Sequence, residues 1–169
     1  MGEKSMKYAY FLCIWYYSAM RILGIDPGYE RCGFGVIEGG KALAYGVITT
    51  PKGEIADRLR EIAVDLRAII KKHKPDALVI EDLFFSKSVT TAMSVAMVRG
   101  VVMLLAVENG MTVLEVKPNE VKLALTGYGR ADKKQMQEMV KVVFKLKTIP
   151  KPDDAADALA IAWCGSNRV

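Results

Sequence analysis

Residues 77–85 read ALVIEDLFF, four apolar residues followed by Glu81 and Asp82 and then by Leu83, Phe84 and Phe85. A run this short and this apolar belongs to a strand buried on both faces, as in a parallel sheet. Residues 53–76 supply the helical crossover that such a strand needs. There Ile55, Leu59, Ile62, Ala63, Leu66, Ile69 and Ile70 recur at helical spacing between charges, and Pro75 ends the pattern. The carboxylate at the inner end of the core strand is the oddity, because a buried charge without a partner is costly.

Working outward, RILGID (21–26) is an apolar run closed by Pro27 and Gly28, and GFGVIEG (33–39) and KALAYGVITT (41–50) are two strands joined at Gly39-Gly40, a hairpin signal. On the other side come a helix from about Ser88 to Asn109, a strand at MTVLEVK (111–117), and helical patterns at NEVKLALTG (119–127), DKKQMQEMVKVVFKL (132–146) and DDAADALAIAW (153–163). Three strands, then alternating helices and strands, then helices predict an α/β domain with a mixed five-stranded sheet flanked by helices. The chain has 169 residues, enough for one ordinary domain with a real core.

Residues 1–19 stand apart. Their basic start, apolar run and small residues have the composition of a secretion signal, but the run is too short and too rich in tyrosine to span a bilayer. Met20 directly precedes the first strand, so residues 1–19 are expected to lie upstream of the working domain, which runs from 20 to 169. A net charge of +5 hints at a polyanionic partner. The three cysteines, Cys13, Cys32 and Cys164, have neither the number of a disulfide framework nor the spacing of a zinc site, which points to a reducing, cytoplasmic location. No membrane partner is expected.

Four acids interrupt apolar context. Asp26 ends the first strand, Glu81 ends the central one, and Asp154 and Asp157 lie three apart near the start of the last helix, where residues at that spacing share a face. If the two strands are neighbours, one pocket gathers all four. Carboxylates so close repel unless a hard cation neutralises them. A donor set of oxygens alone favours Mg²⁺, with Mn²⁺ able to substitute, and paired ions of this kind activate water in phosphodiester hydrolysis. Each acid also has a local reading as a turn residue, an N-cap neighbour or a dipole partner.

From Met20 to about Cys164 the chain resembles the RuvC family, the bacterial Holliday-junction resolvases of the ribonuclease H-like superfamily. The resemblance rests on GIDPG with Asp26, IEDLFF with Glu81, VKPNEVKLALTGYGRADKKQM, and DDAADALAIA with Asp154 and Asp157, in that order. It implies a ribonuclease H-like fold in which these four acids are both the catalytic residues and the ligands of two divalent ions. It further implies a symmetric dimer on a four-way junction, paired nicks leaving 5′-phosphates, and cooperation with the branch-migration proteins RuvA and RuvB. Phe84 matches the family's base-stacking phenylalanine, while Phe85 is assigned to the core. Lys122 and Lys133 match its important basic positions.

Arg130, Lys133 and Lys134 also crowd a helix start, where the dipole disfavours cations, so a phosphate partner would explain them. The single histidine, His73, reads as a surface residue. On the second helix Met93, Met97, Gly100 and Leu104 share a stripe, read as core or as a dimer face. Competing functions are another ribonuclease H-like nuclease acting on hybrids or other branched nucleic acid, a binding module without chemistry, and an actin-like ATPase. The acidic quartet argues against the binder, and the missing phosphate loops argue against the ATPase.

Overall fold

The computed structural model describes residues 20–82, 89–166 and 168. Residues 1–19, Phe84 and Phe85 lie outside them. The strands are β1 (Arg21–Asp26), β2 (Arg31–Glu38), β3 (Lys41–Thr49), β4 (Ala77–Glu81) and β5 (Thr112–Val116). The helices are α1 (Ile55–His73), α2 (Val89–Glu108), α3 (Pro118–Thr126), α4 (Lys133–Val143) and α5 (Asp153–Ser166). One sheet forms in the order β3-β2-β1-β4-β5, with β1, β2 and β3 antiparallel in turn and β4 parallel to both β1 and β5. The mixed five-stranded sheet expected from the sequence is therefore present.

Local chemistry sets the connections. Gly39 and Gly40 both take positive φ, 53° and 75°, the requirement of a two-residue turn whose twist suits a hairpin. Helix α1 buries Ile62, Leu66 and Ile70 against the sheet and ends at Lys74, whose left-handed φ of 47° lets its amide close on the Ile70 carbonyl. The helical pattern of 132–146 stops early. Lys145 turns left-handed at φ 51°, its N–H reaching Val142, and Phe144 packs edge-on against Trp163 at 5.7 Å.

Helices lie on both faces. Leu23, Ile25, Val36, Leu78 and Ile80 meet α1 and α2, whereas Ile22, Ile37, Ala77 and Val79 meet α3, α4 and α5. This alternation is why the buried central strands read as unbroken apolar runs. Helix α5 is the element that positions the site. It is buried almost throughout from Ala155 to Gly165 and sits directly on the sheet, because glycines lie under it. A Cβ at Gly24 would fall 2.3 Å from the Ala158 carbonyl oxygen, and one at Gly35 would fall 2.9 Å from the Leu159 nitrogen.

Candidate active site

The parallel register of β1 and β4 pairs Ile25 with Ile80, so Asp26 and Glu81, each the next residue, stand at the same carboxyl edge of the sheet. Asp157, in the second turn of α5, joins them around one cavity of about 230 Å³. Lys122 of α3 and Lys133 of α4 complete its polar lining, and Val121 and Met136 supply apolar wall. Burial pushes the Asp157 carboxyl above its ordinary range; Lys133, with its Nζ 3.8 Å away, pulls it back, while Asp153 and Asp154 push it further up.

Asp154 does not line this cavity. Arg31, the first residue of β2, donates through Nη2 to Asp154 Oδ2 and, at 3.1 Å, to Asp153 Oδ1. Lys133 donates to the other oxygen of Asp153. That bond holds the Asp153 carboxyl below its ordinary range and the Lys133 ammonium above its own. The four acids named from the sequence thus divide. Three surround the cavity, and the fourth is tied to an arginine at its rim. Asp154 and Asp157 share a helical face only loosely, being about 60° apart around the axis. The first turn of α5 rests on β2, where the Asp154 carbonyl oxygen would be only 2.2 Å from a Cβ on Gly33.

The expected cationic residues also take different places. Lys122 is half-buried and lines both the cavity and an adjoining groove formed with Lys117, Asn119 and Gly129. The position of Lys133 at a helix start, offered above as a sign of phosphate, has an internal explanation in its bond to Asp153. Arg130 and Lys134 are exposed nearby. Asp132 caps α4 by accepting from the Gln135 amide at 2.9 Å, which offsets the unfavourable dipole. His73 lies at the opposite end of the molecule, before β4 begins, and takes no part in the cavity.

Two residues escaped the reading of the sequence. Arg31 is one. Arg99 is the other, a buried residue that donates to the Glu81 carbonyl and the Glu115 carboxylate and lies 4.0 Å from Asp82, so it fixes the strand end that carries Glu81. Its signal was available: Arg99 is the only charge in α2 before Glu108.

The donors around the cavity are carboxylate oxygens, which suit a hard divalent cation. With the side chains as they stand, no three acidic, histidine or cysteine groups among the described residues are drawn tightly enough together to cage one. Positive charge in and beside the cavity comes instead from Lys122, Lys133 and Arg31.

Residues 22–165 match the family model described as crossover junction endodeoxyribonuclease RuvC. The protein of that name from Heliobacterium modesticaldum is 52% identical over 150 residues, covering 86% of this chain and 93% of that protein. The one from Thermotoga maritima is 50% identical over 151 residues, covering 86% and 90%. Among solved structures, T. thermophilus RuvC in complex with Holliday junction substrate superposes with a TM-score of 0.81 at 34% identity, covering 87% of this chain and 93% of that one. The yeast mitochondrial Holliday junction resolvase, at 15% identity and a TM-score of 0.59, shares the fold. Matched by the family model over residues 22–165 and about half identical to the Heliobacterium and Thermotoga relatives over most of its length, this chain belongs to the RuvC family of crossover junction endodeoxyribonucleases.

Proposed function

We propose that this protein resolves four-way DNA junctions by metal-dependent hydrolysis of one phosphodiester on each of two opposing strands, in recombination and repair. One observation carries the reading: in a chain of this family, Asp26, Glu81 and Asp157 surround a single cavity rimmed by Lys122 and Lys133. A bound cation relieves the mutual repulsion of acids grouped in this way. Asp26, Glu81, Asp157 and, once released from Arg31, Asp154 would hold the metal, two Mg²⁺ ions per subunit with Mn²⁺ as a substitute. When bound, the metal supplies an activated water and stabilises the departing oxygen.

The chain's own residues do the rest. Lys122 and Lys133 hold the phosphates beside the cavity, and Arg130 and Lys134 extend that positive rim along the DNA, each as an electrostatic and salt-sensitive contact. Phe84 stacks on an unpaired base. Water attacks phosphorus, the bond to the 3′ oxygen breaks, and that oxygen takes up the proton, leaving a 5′-phosphate and a 3′-hydroxyl. The working unit is the single domain from residue 20 to 169, with 1–19 upstream of it. It acts in the cytoplasm beside RuvA and RuvB.

A homodimer suits a nearly twofold substrate. Its support is on α2, where Met93, Met97, Leu104 and Val107 are 57%, 43%, 57% and 67% exposed along one stripe. By length and composition α2 could cross a bilayer, yet Val98, Val102, Leu105 and Ala106 are buried in the core. Its bare side therefore reads as a face for a second copy. Sedimentation showing only monomer at micromolar concentration would count against this dimer.

The decisive assay incubates a synthetic four-way junction with and without Mg²⁺ and resolves the strands on a denaturing gel. Asp26→Asn and Glu81→Gln are expected to bind the junction and leave it uncut. Nicking by either variant at the wild-type rate would refute the assignment.

A further inference from the structure

We infer that Arg31 is a positioning residue that holds Asp154 out of the metal cavity until a DNA phosphate takes Asp154's place on the guanidinium, so that junction binding and cation binding reinforce each other. The inference rests on the reading of the cavity as a metal site.

Four observations lead there. First, the Nη2 atom of Arg31 serves both Asp154 and Asp153, so the acid at the rim is engaged while Asp26, Glu81 and Asp157 face the cavity. Second, the Asp154 backbone cannot shift toward the sheet, since its carbonyl already rests over Gly33, where even a Cβ would be 2.2 Å away. Reorientation of Asp154 toward the cavity then falls to its side chain. Third, the Asp154 backbone lies over Gly33, the residue that pairs with Asp26 across β1 and β2, so the tethered carboxylate stands beside the cavity. Fourth, the Arg31 side chain is 44% exposed, at the same sheet edge as Asp26.

These features suit an exchange. A half-exposed ion pair is weak enough to be traded, and a guanidinium matches phosphate as well as it matches carboxylate. Asp153 keeps Lys133 as a partner whichever anion Arg31 holds. When phosphate occupies Arg31, Asp154 is free to turn to the cation. When a cation holds Asp154, Arg31 keeps only its longer contact to Asp153 and can take phosphate. Linkage makes the gain equal in both directions.

The test is a double-mutant cycle run with two ligands separately, so that no cleavage occurs. Mn²⁺ binding without DNA is followed by the electron paramagnetic resonance signal of the free ion. Junction binding without metal is followed in EDTA by fluorescence anisotropy. The proteins are wild type, Arg31→Gln, Asp154→Asn and the double variant, with thermal melts confirming that each is folded. Arg31→Gln should tighten Mn²⁺ binding about fivefold or more, the lower end of ordinary coupling, and should change it less than about twofold when Asp154 is already Asn. In EDTA, Asp154→Asn should tighten junction binding, and this gain should vanish when Arg31 is Gln.

An Arg31→Gln effect of equal size in the Asp154→Asn background means that Arg31 acts only as a distant charge, and overturns the tether. So does no effect at all. If Mn²⁺ fails to bind wild type, or binds Asp26→Asn equally well, the metal reading itself falls, an outcome separate from failure of the tether alone.

Discussion

Gly24→Ala asks whether α5 owes its place, and the site its shape, to the absence of side chains beneath it. A methyl at Gly24 would lie 2.3 Å from the Ala158 carbonyl oxygen, 2.5 Å from the Ala162 nitrogen and 2.7 Å from the Ala162 Cβ. Ordinary contact begins near 3.4 Å. The helix must therefore lift by about 1 Å. The nearest two atoms are helix backbone, so no rotamer change relieves them, and β1 is held on both sides by β2 and β4. Overpacking of this kind costs typically 1–3 kcal/mol. With the backbone as the obstacle the upper end applies, so we expect a loss of about 3 kcal/mol from a stability on the order of 5–15 kcal/mol. At a urea dependence of about 1–3 kcal/mol per molar, the unfolding midpoint drops by at least about 1 M. Asp157 rides on the lifted helix, and a misplacement of about 1 Å costs on the order of 100-fold in rate. Junction cleavage, assayed where the variant is still folded, should fall by that factor. Gly53→Ala, which meets nothing within 4 Å, is the control and should stay within about 0.5 kcal/mol of wild type. A Gly24→Ala protein with wild-type midpoint and wild-type cleavage would refute the direct seating of α5 on β1.

Arg99→Met keeps most of the side-chain volume but leaves the Glu81 carbonyl and the Glu115 carboxylate without their donor. Urea unfolding should show a loss of about 2–4 kcal/mol, and a loss below about 0.5 kcal/mol would deny Arg99 its role in fixing β4. Asp157→Asn should stabilise the metal-free protein while abolishing cleavage. Burial raises the Asp157 pKa, so ionising it costs more in the folded protein than in the unfolded chain. That cost stands in full above the folded pKa and vanishes below the unfolded one. The gain in urea midpoint, measured in EDTA, should therefore be present at pH 7 and fade as the pH falls to about 3; a variant less stable than wild type at pH 7 would contradict it.

Much of the fold was legible because the central strands are buried on both faces. Apolar runs mark such strands directly, and the long amphipathic pattern of 53–76 required a crossover that set β4 parallel to β1. Asp26 then meets Glu81 if β1 and β4 are neighbours, a condition the sequence left open and the β1–β4 pairing meets. Arg31 was not legible in the same way. It begins an edge of β2 where an arginine is ordinarily solvated, and its partners lie 122 and 123 residues away. Lys133 was read for its clash with the α4 dipole, but the dipole is a modest effect beside a direct bond to Asp153.

The division of Asp154 from Asp157 has a cause that spacing alone could not reveal. Helix α5 crosses the sheet obliquely. Its backbone rests over Gly33 and Gly35 of β2 at Asp154 and Leu159, over Gly24 of β1 at Ala158 and Ala162, and its Gly165 meets Val79 of β4. The first turn therefore stands over β2, where Arg31 waits, and Asp157 turns toward the edge shared by β1 and β4. A helix aligned with β1 would have carried both aspartates to the same strands. The crossing follows from where glycine replaces side chains in β1 and β2, so those glycines bring Asp154 within reach of the arginine while Asp157 faces the cavity directly.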